Sequence, residues 1–202
     1  MRSLRALLIW SGLALALGVP LVFAATSEYL AWRDPVYIVA GLAGVVALGL
    51  ALVQPLLAAG WLPGLHLLRS RRVHRTVGIV LVVAVVVHVA GLWITSPPDV
   101  EDALLLRSPT PFSVWGVASM WVLFAAALLV VFRRRMPPRA WRLVHTSLVG
   151  VVVVSGAIHA LLIEGTMETT TKAVLCGLAI AATAAAIAVP WIRASRQTPG
   201  SD

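Results

Sequence analysis

Two stretches of the chain carry the same pattern. Residues 71–88 read RRVHRTVGIVLVVAVVVH and residues 142–159 read RLVHTSLVGVVVVSGAIH, so R-x-V-H is followed twice by thirteen mostly apolar residues and a second histidine. In an α-helix fourteen residues advance roughly 21 Å and return to within about 40° of the starting direction. Each stretch therefore predicts one helix with two histidines on one face. One histidine lies near the helix start and the other about four turns deeper.

The surroundings of these helices are apolar. Of 202 residues, 60% are hydrophobic and 12% charged, and the mean hydropathy is +0.94, which places the chain among integral membrane proteins. Six segments are long enough for a hydrocarbon core of ~30 Å: residues 6–25, 37–59, 73–95, 112–132, 141–163 and 173–192. Breaks fall at Gly60-Trp61-Leu62-Pro63-Gly64, at Ser96-Pro97-Pro98 and at Pro137-Pro138, where turn residues or paired prolines interrupt the run. The expected class is all-α, a polytopic bundle of six transmembrane helices. Residues 1–36 form a first transmembrane helix, or a signal-like segment, with its outer loop. Residues 37–192 form the main membrane domain, and 193–202 a short polar tail. The apolar run of the first segment exceeds the usual core of a cleaved leader, so a retained helix is expected.

Charge sets the orientation. Thirteen of the sixteen basic residues fall at the N-terminus, in the second and fourth loops and in the tail, and seven of the eight acidic residues fall in the first, third and fifth loops. By the positive-inside rule both termini are cytoplasmic, in an inner or plasma membrane. The net charge of +8 thus reports topology and contact with membrane lipid, and implies no nucleic-acid partner. The one cysteine, Cys176, excludes an internal disulfide, a C-x-x-C-H attachment and an iron–sulfur ligand set.

Spans three and five run in the same direction, so His74 should share a depth with His145 near the inner surface, and His88 with His159 further out. Two imidazoles facing across a gap at one level are the axial ligand set of a b-type haem, and two levels would stack two haems. Interhelical hydrogen bonding and proton relay are the alternative uses of such histidines. A single metal ion cannot gather all four, because each pair is roughly 21 Å apart along its helix. Gly78, Gly91, Gly150, Ser155 and Gly156 offer room for a flat macrocycle or for close helix packing. Arg71, Arg72, Arg75, Arg139 and Arg142 flank the inner histidines and could pair with haem carboxylates or simply meet lipid. Trp93, Trp115, Trp121 and Trp141 fit an interfacial belt or the sides of the macrocycles. His66, outside both repeats, reads as a loop residue.

These residues resemble the ferric reductase-like transmembrane domain, the six-helix haem core of ferric reductases and NADPH oxidases. The likeness rests on R-x-x-H-R at residues 71–75, W-R-x-x-H at 141–145 and the histidine fourteen residues beyond each. It implies two b haems, the inner iron held by His74 and His145 and the outer by His88 and His159; Arg72, Arg75 and Arg142 are the candidate cofactor contacts from the residue reading alone. It also implies single-electron transfer across the membrane. Larger members continue into a domain for FAD and NAD(P)H, whereas this sequence has no G-x-G-x-x-G unit. The expectation is a stand-alone haem component, similar in layout to the membrane partner of periplasmic methionine sulfoxide reductase systems. Its donor would be a separate flavoprotein or membrane quinol, and its acceptor an external ferric chelate or partner protein. An electron-transfer subunit serving a partner reductase is the alternative, followed by a non-redox transporter or assembly protein.

Overall fold

The computed structural model describes residues 2–195, and all regular structure among them is helical. Seven α-helices follow in order: α1 (Arg2–Ala25), α2 (Pro35–Ala59), α3 (Leu67–Thr95), α4 (Pro97–Leu104), α5 (Pro111–Phe132), α6 (Pro138–Leu162) and α7 (Thr169–Ser195). All but α4 are long and apolar enough to cross a membrane.

The helix ends follow local chemistry. Asp34 caps α2 by accepting from the Val36 backbone N–H at 2.7 Å, with Pro35 at the first helical position. A proline there gives up a donor that a first turn would leave unused. Gly60 closes α2 at φ +68°, a left-handed cap that favours glycine. Pro111 and Pro138 open α5 and α6 in the same way as Pro35. The polar residues 169–170 extend α7 ahead of its apolar run, and the helix continues through Ser195. The remainder of the expected tail, 196–202, lies outside the described residues.

Two differences from the expected layout stand out. Helix α3 begins at Leu67 rather than Val73, so Arg69, Arg71 and Arg72 belong to its first turns. Its 29 residues make it roughly 43 Å long, and the helix overshoots the hydrocarbon at the basic end. Pro97-Pro98 stops α3 but then starts α4, where the sequence suggested only loop.

Helices α2 and α3 pack as one hairpin, and α5 and α6 as a second. Helix α7 lies against both α2 and α6, while α1 sits at the periphery against α2 and α7. Leu52, Val153, Leu175 and Ala179 form the buried cluster joining α2, α6 and α7, and Ala47, Leu81 and Ala84 join α2 to α3. Trp10 of α1 donates to the Pro63 carbonyl at 3.3 Å. Large apolar side chains such as Leu8, Ile79, Val83, Leu128 and Val131 face outward, which suits lipid as the surrounding solvent. Helices α3 and α6, which carry the four histidines, each pack closely on other helices rather than on one another.

Candidate functional site

The two repeats occupy equivalent places in their helices. His74 is the eighth residue of α3 and His145 the eighth of α6, while His88 and His159 are each the twenty-second. The histidines therefore fall at two matched levels, one toward the basic end and one toward the acidic end. At the second level the His88 and His159 rings face each other, centroids 6.4 Å apart and planes at 78°. At the first level no ring contact between His74 and His145 is found among the described residues.

Three of the four imidazoles are tied by Nδ1 to a backbone carbonyl of the preceding span. His88 bonds to Ala40 at 2.8 Å, His159 to Phe112 at 2.9 Å and His74 to Gln54 at 3.2 Å. The Gln54 side-chain amide also reaches the His74 Nδ1, so the carbonyl alone does not set that ring's proton; for His88 and His159 a carbonyl only accepts, and Nδ1 carries the proton. Nε2 is then left with its lone pair, the form that binds a metal. His145 differs. Its Nδ1 is buried without a hydrogen-bond partner, and its ring stacks on Trp141 of its own helix, centroids 4.8 Å apart and planes at 13°. The i, i+4 spacing puts these two rings one turn apart on one face.

Small residues let two of the rings reach their carbonyls. A Cβ on Gly44 would come within 2.9 Å of the His88 Nδ1, and one on Gly116 within 2.6 Å of the His159 Nδ1. Each glycine lies one turn beyond the carbonyl that its histidine uses, so the ring rests against bare helix backbone. These two positions and Gln54 were not singled out from the sequence. The side-chain amide of Gln54 sits in the turn between His74 and Gly78, and with its oxygen toward the Gly78 N–H it accepts at 2.8 Å. Gly78 makes room for this amide, since a Cβ there would lie 2.9 Å from the amide atom that faces it.

Of the other small residues marked by the sequence, Gly91 meets Ala40 of α2, where an added Cβ would be 2.7 Å from Ala40 Cβ, and Gly156 faces Ser119 of α5. Both serve helix packing. The Ser155 hydroxyl donates back to the Val151 carbonyl of its own helix at 2.5 Å. Gly150 has open space beside it, in a groove of ≈ 350 Å³ shared with Trp115, Val151, Val154 and Ser155.

Arg72, Arg75 and Arg142 are exposed in the early turns of α3 and α6, at the same end as His74 and His145. Arg133 stands over the Trp141 ring, its Cζ 5.5 Å from the centroid. His66 precedes α3 and makes no capping bond with its side chain.

At the opposite end two of the carboxylates, Glu168 and Asp99, have local duties. Glu168 accepts from the backbone N–H groups of Thr171 at 2.6 Å and Thr170 at 2.7 Å, and these bonds hold its pKa down to about 2. Asp99 is hydrogen-bonded to Ser96. Among the described residues no three His, Cys, Asp or Glu side chains converge as a metal cage. The buried Lys172 donates to the Ile163 carbonyl at 2.6 Å, one turn beyond His159.

Comparison with known proteins gives one match. The family model described as ferric reductase like transmembrane component matches residues 40–156, more than half of the chain. No curated protein and no solved structure matches.

Proposed function

From the membership of this chain in the ferric reductase like transmembrane component family, to which it belongs, we propose that it conducts single electrons across the membrane through two bis-histidine b haems. His74 and His145 hold the inner group, and His88 and His159 the outer. The bound haems supply the one-electron redox chemistry.

The observation that carries this reading is the His88–His159 level. A metal–imidazole bond is roughly 2 Å long and the ring contributes about 1 Å more on each side, so two imidazoles on opposite sides of one iron have centroids roughly 6 Å apart. The observed separation is 6.4 Å. Both rings commit Nδ1 to a carbonyl, which favours Nε2 as the free donor. Because α3 and α6 pack on other helices and not closely on each other, space for a flat group between them does not require unpicking a helix–helix seam.

The protein supplies placement and shielding. The carbonyls of Ala40 and Phe112 fix the tautomers of the two outer rings and raise the basicity of their donor nitrogens, and the Gln54 carbonyl and amide hold the His74 ring in place. Two histidines held at each level would occupy both open positions of a bound haem iron, so the donor and acceptor would exchange electrons without binding the metal. Exposed Arg72, Arg75 and Arg142 are available to haem carboxylates at the inner level, or to lipid. The basic end is cytoplasmic in this reading, and the donor there is a flavoprotein or quinol. Outward electron flow then runs with a negative-inside potential, about 2.3 kcal/mol per 100 mV if the whole field is crossed.

At the acidic end the carboxylates of Asp99 and Glu168 are already engaged, and no cage converges among the described residues. This favours an acceptor that touches the outer level, a ferric chelate or a docked partner protein, over a captured bare ion.

The test is redox spectroscopy on the purified full chain, followed by reconstitution. Two reducible b-type signals per chain are expected, with reduction of an external ferric chelate by a donor enclosed in vesicles. A preparation with no reducible haem would sink the proposal. Haem turnover without external reduction would instead favour a dedicated partner as acceptor.

A further inference from the structure

The two repeats part company four residues before their first histidine. That position is Ser70 in the first and Trp141 in the second. Ser70 is fully buried, and its hydroxyl donates to the Leu57 carbonyl at 2.7 Å, which draws the start of α3 onto α2. One turn later His74 reaches the Gln54 carbonyl. An indole cannot make the same close contact. At the start of α6, Trp141 lies along the helix and covers the His145 ring at 4.8 Å and 13°, with the Arg133 guanidinium over the same indole. His145 Nδ1 finds no carbonyl. The stretch of α5 that corresponds to Gln54 is Ala125–Ala127, which offers no side-chain amide either.

We propose that Trp141 is a positioning residue of the inner level, setting the ring plane of His145 by stacking where the other three histidines are set by hydrogen bonds. A histidine ligand whose second nitrogen is bonded to a carbonyl has a fixed tautomer and a more basic donor atom. His145 lacks this support, so its hold on an iron depends on the aromatic neighbour, and it is the most easily released of the four. The inference rests on the bis-histidine reading above. It adds to that reading an unequal pair of ligands at the inner level.

The test compares the full-length wild-type chain with Trp141→Phe and Trp141→Leu in detergent. Three quantities are measured: haem per chain, the electron paramagnetic resonance of the oxidised protein, and carbon monoxide binding by the reduced protein. The wild type should hold two haems and bind no carbon monoxide. Trp141→Phe, which keeps an aromatic face, should behave the same. Trp141→Leu keeps apolar bulk without the stack. It should lose one low-spin signal and become reactive to carbon monoxide at one haem, with the other haem unchanged as an internal measure of folding. If Leu and Phe give the same spectra, or if the two haems change together in Trp141→Leu, the role of Trp141 is overturned. A wild-type chain without haem overturns the bis-histidine reading itself, and that result is in hand before any variant is made.

Discussion

The hairpins α2–α3 and α5–α6 are two solutions to one problem, that of holding two imidazoles at set depths on an apolar helix. At the outer level they agree closely. His88 uses Ala40 and Gly44, His159 uses Phe112 and Gly116, and in each case the carbonyl and the glycine are one turn apart. Nearer the middle they diverge. The first hairpin packs Ala47 against Leu81 and Ala84, whereas in the second the Ser119 hydroxyl donates to the Val152 carbonyl at 3.0 Å. At the inner level the first hairpin uses a carbonyl and an amide, and the second a stacked indole. The duplicated histidines thus sit in supports that match only where the two rings meet each other. The facing of the two rings accounts for this: a ring that must meet a counterpart across a gap has less freedom than one whose neighbour is its own helix.

The largest expected effect tests whether the outer level is one unit. His88→Ala and His159→Ala should each remove the same haem, about half of the total, and leave the same residual spectrum. In the proposed pairing either change would take one of the two histidines from the same iron. Haem stoichiometry and low-temperature optical spectra of the two variants read the result. Two different residual spectra would mean that each helix carries its own haem, and the comparison between hairpins would have to be redrawn along the helices instead of across them.

A smaller effect should come from the glycines. Adding a Cβ at Gly116 places it 2.6 Å from the His159 ring, and at Gly44 2.9 Å from the His88 ring. A ring held at Nδ1 by a carbonyl and facing a second ring cannot swing aside freely, so Gly116→Ala and Gly44→Ala should each cost about 1–3 kcal/mol, the usual range for overpacking. The Gly116 variant should suffer more. Thermal unfolding of the haem-loaded protein, together with a shift in the outer haem's resonance signal, measures this. Equal tolerance at both sites, with unshifted signals, would show that the rings do not rest on these turns.

Much of this arrangement was legible in the sequence because it lives in side-chain identity and spacing. Fourteen-residue separations placed the histidines at two depths, and charge separated the ends of the bundle. The carbonyls of Ala40, Gln54 and Phe112 were not legible, since every residue carries a carbonyl and nothing in its side chain says which one is used. Gly44 and Gly116 left a faint trace: they are offset by nearly the same interval as the histidines, so extending the repeat backward into the preceding spans would have found them. The early start of α3 was hidden because hydropathy marks where a helix meets lipid, not where its backbone hydrogen bonds begin. Helix α4 was missed for a related reason, as Pro97-Pro98 ends one helix but is well suited to the first turn of the next.

The smallest expected effect concerns how the two histidine helices end. Helix α3 stops at Ser96, whose hydroxyl is bonded to Asp99 at an exposed position. Helix α6 stops at Ile163, whose carbonyl receives the ammonium of Lys172, a side chain only 5% exposed. A cation at the carbonyl end of a helix is favourable by charge and by hydrogen bonding, together worth about 1 kcal/mol. Lys172→Met should remove this support and loosen the last turn of α6, one turn from His159, with faster amide exchange there and a few-fold loss of outer haem retention on dilution. Lys172→Arg should restore most of it, and Ser96→Ala should change little, because water replaces the exposed bond at the end of α3. If Lys172→Met and Ser96→Ala had equal effects, the two helix ends would be energetically alike despite their different chemistry. The asymmetry between the hairpins would then be confined to the inner level, where Trp141 stands in the place of Ser70.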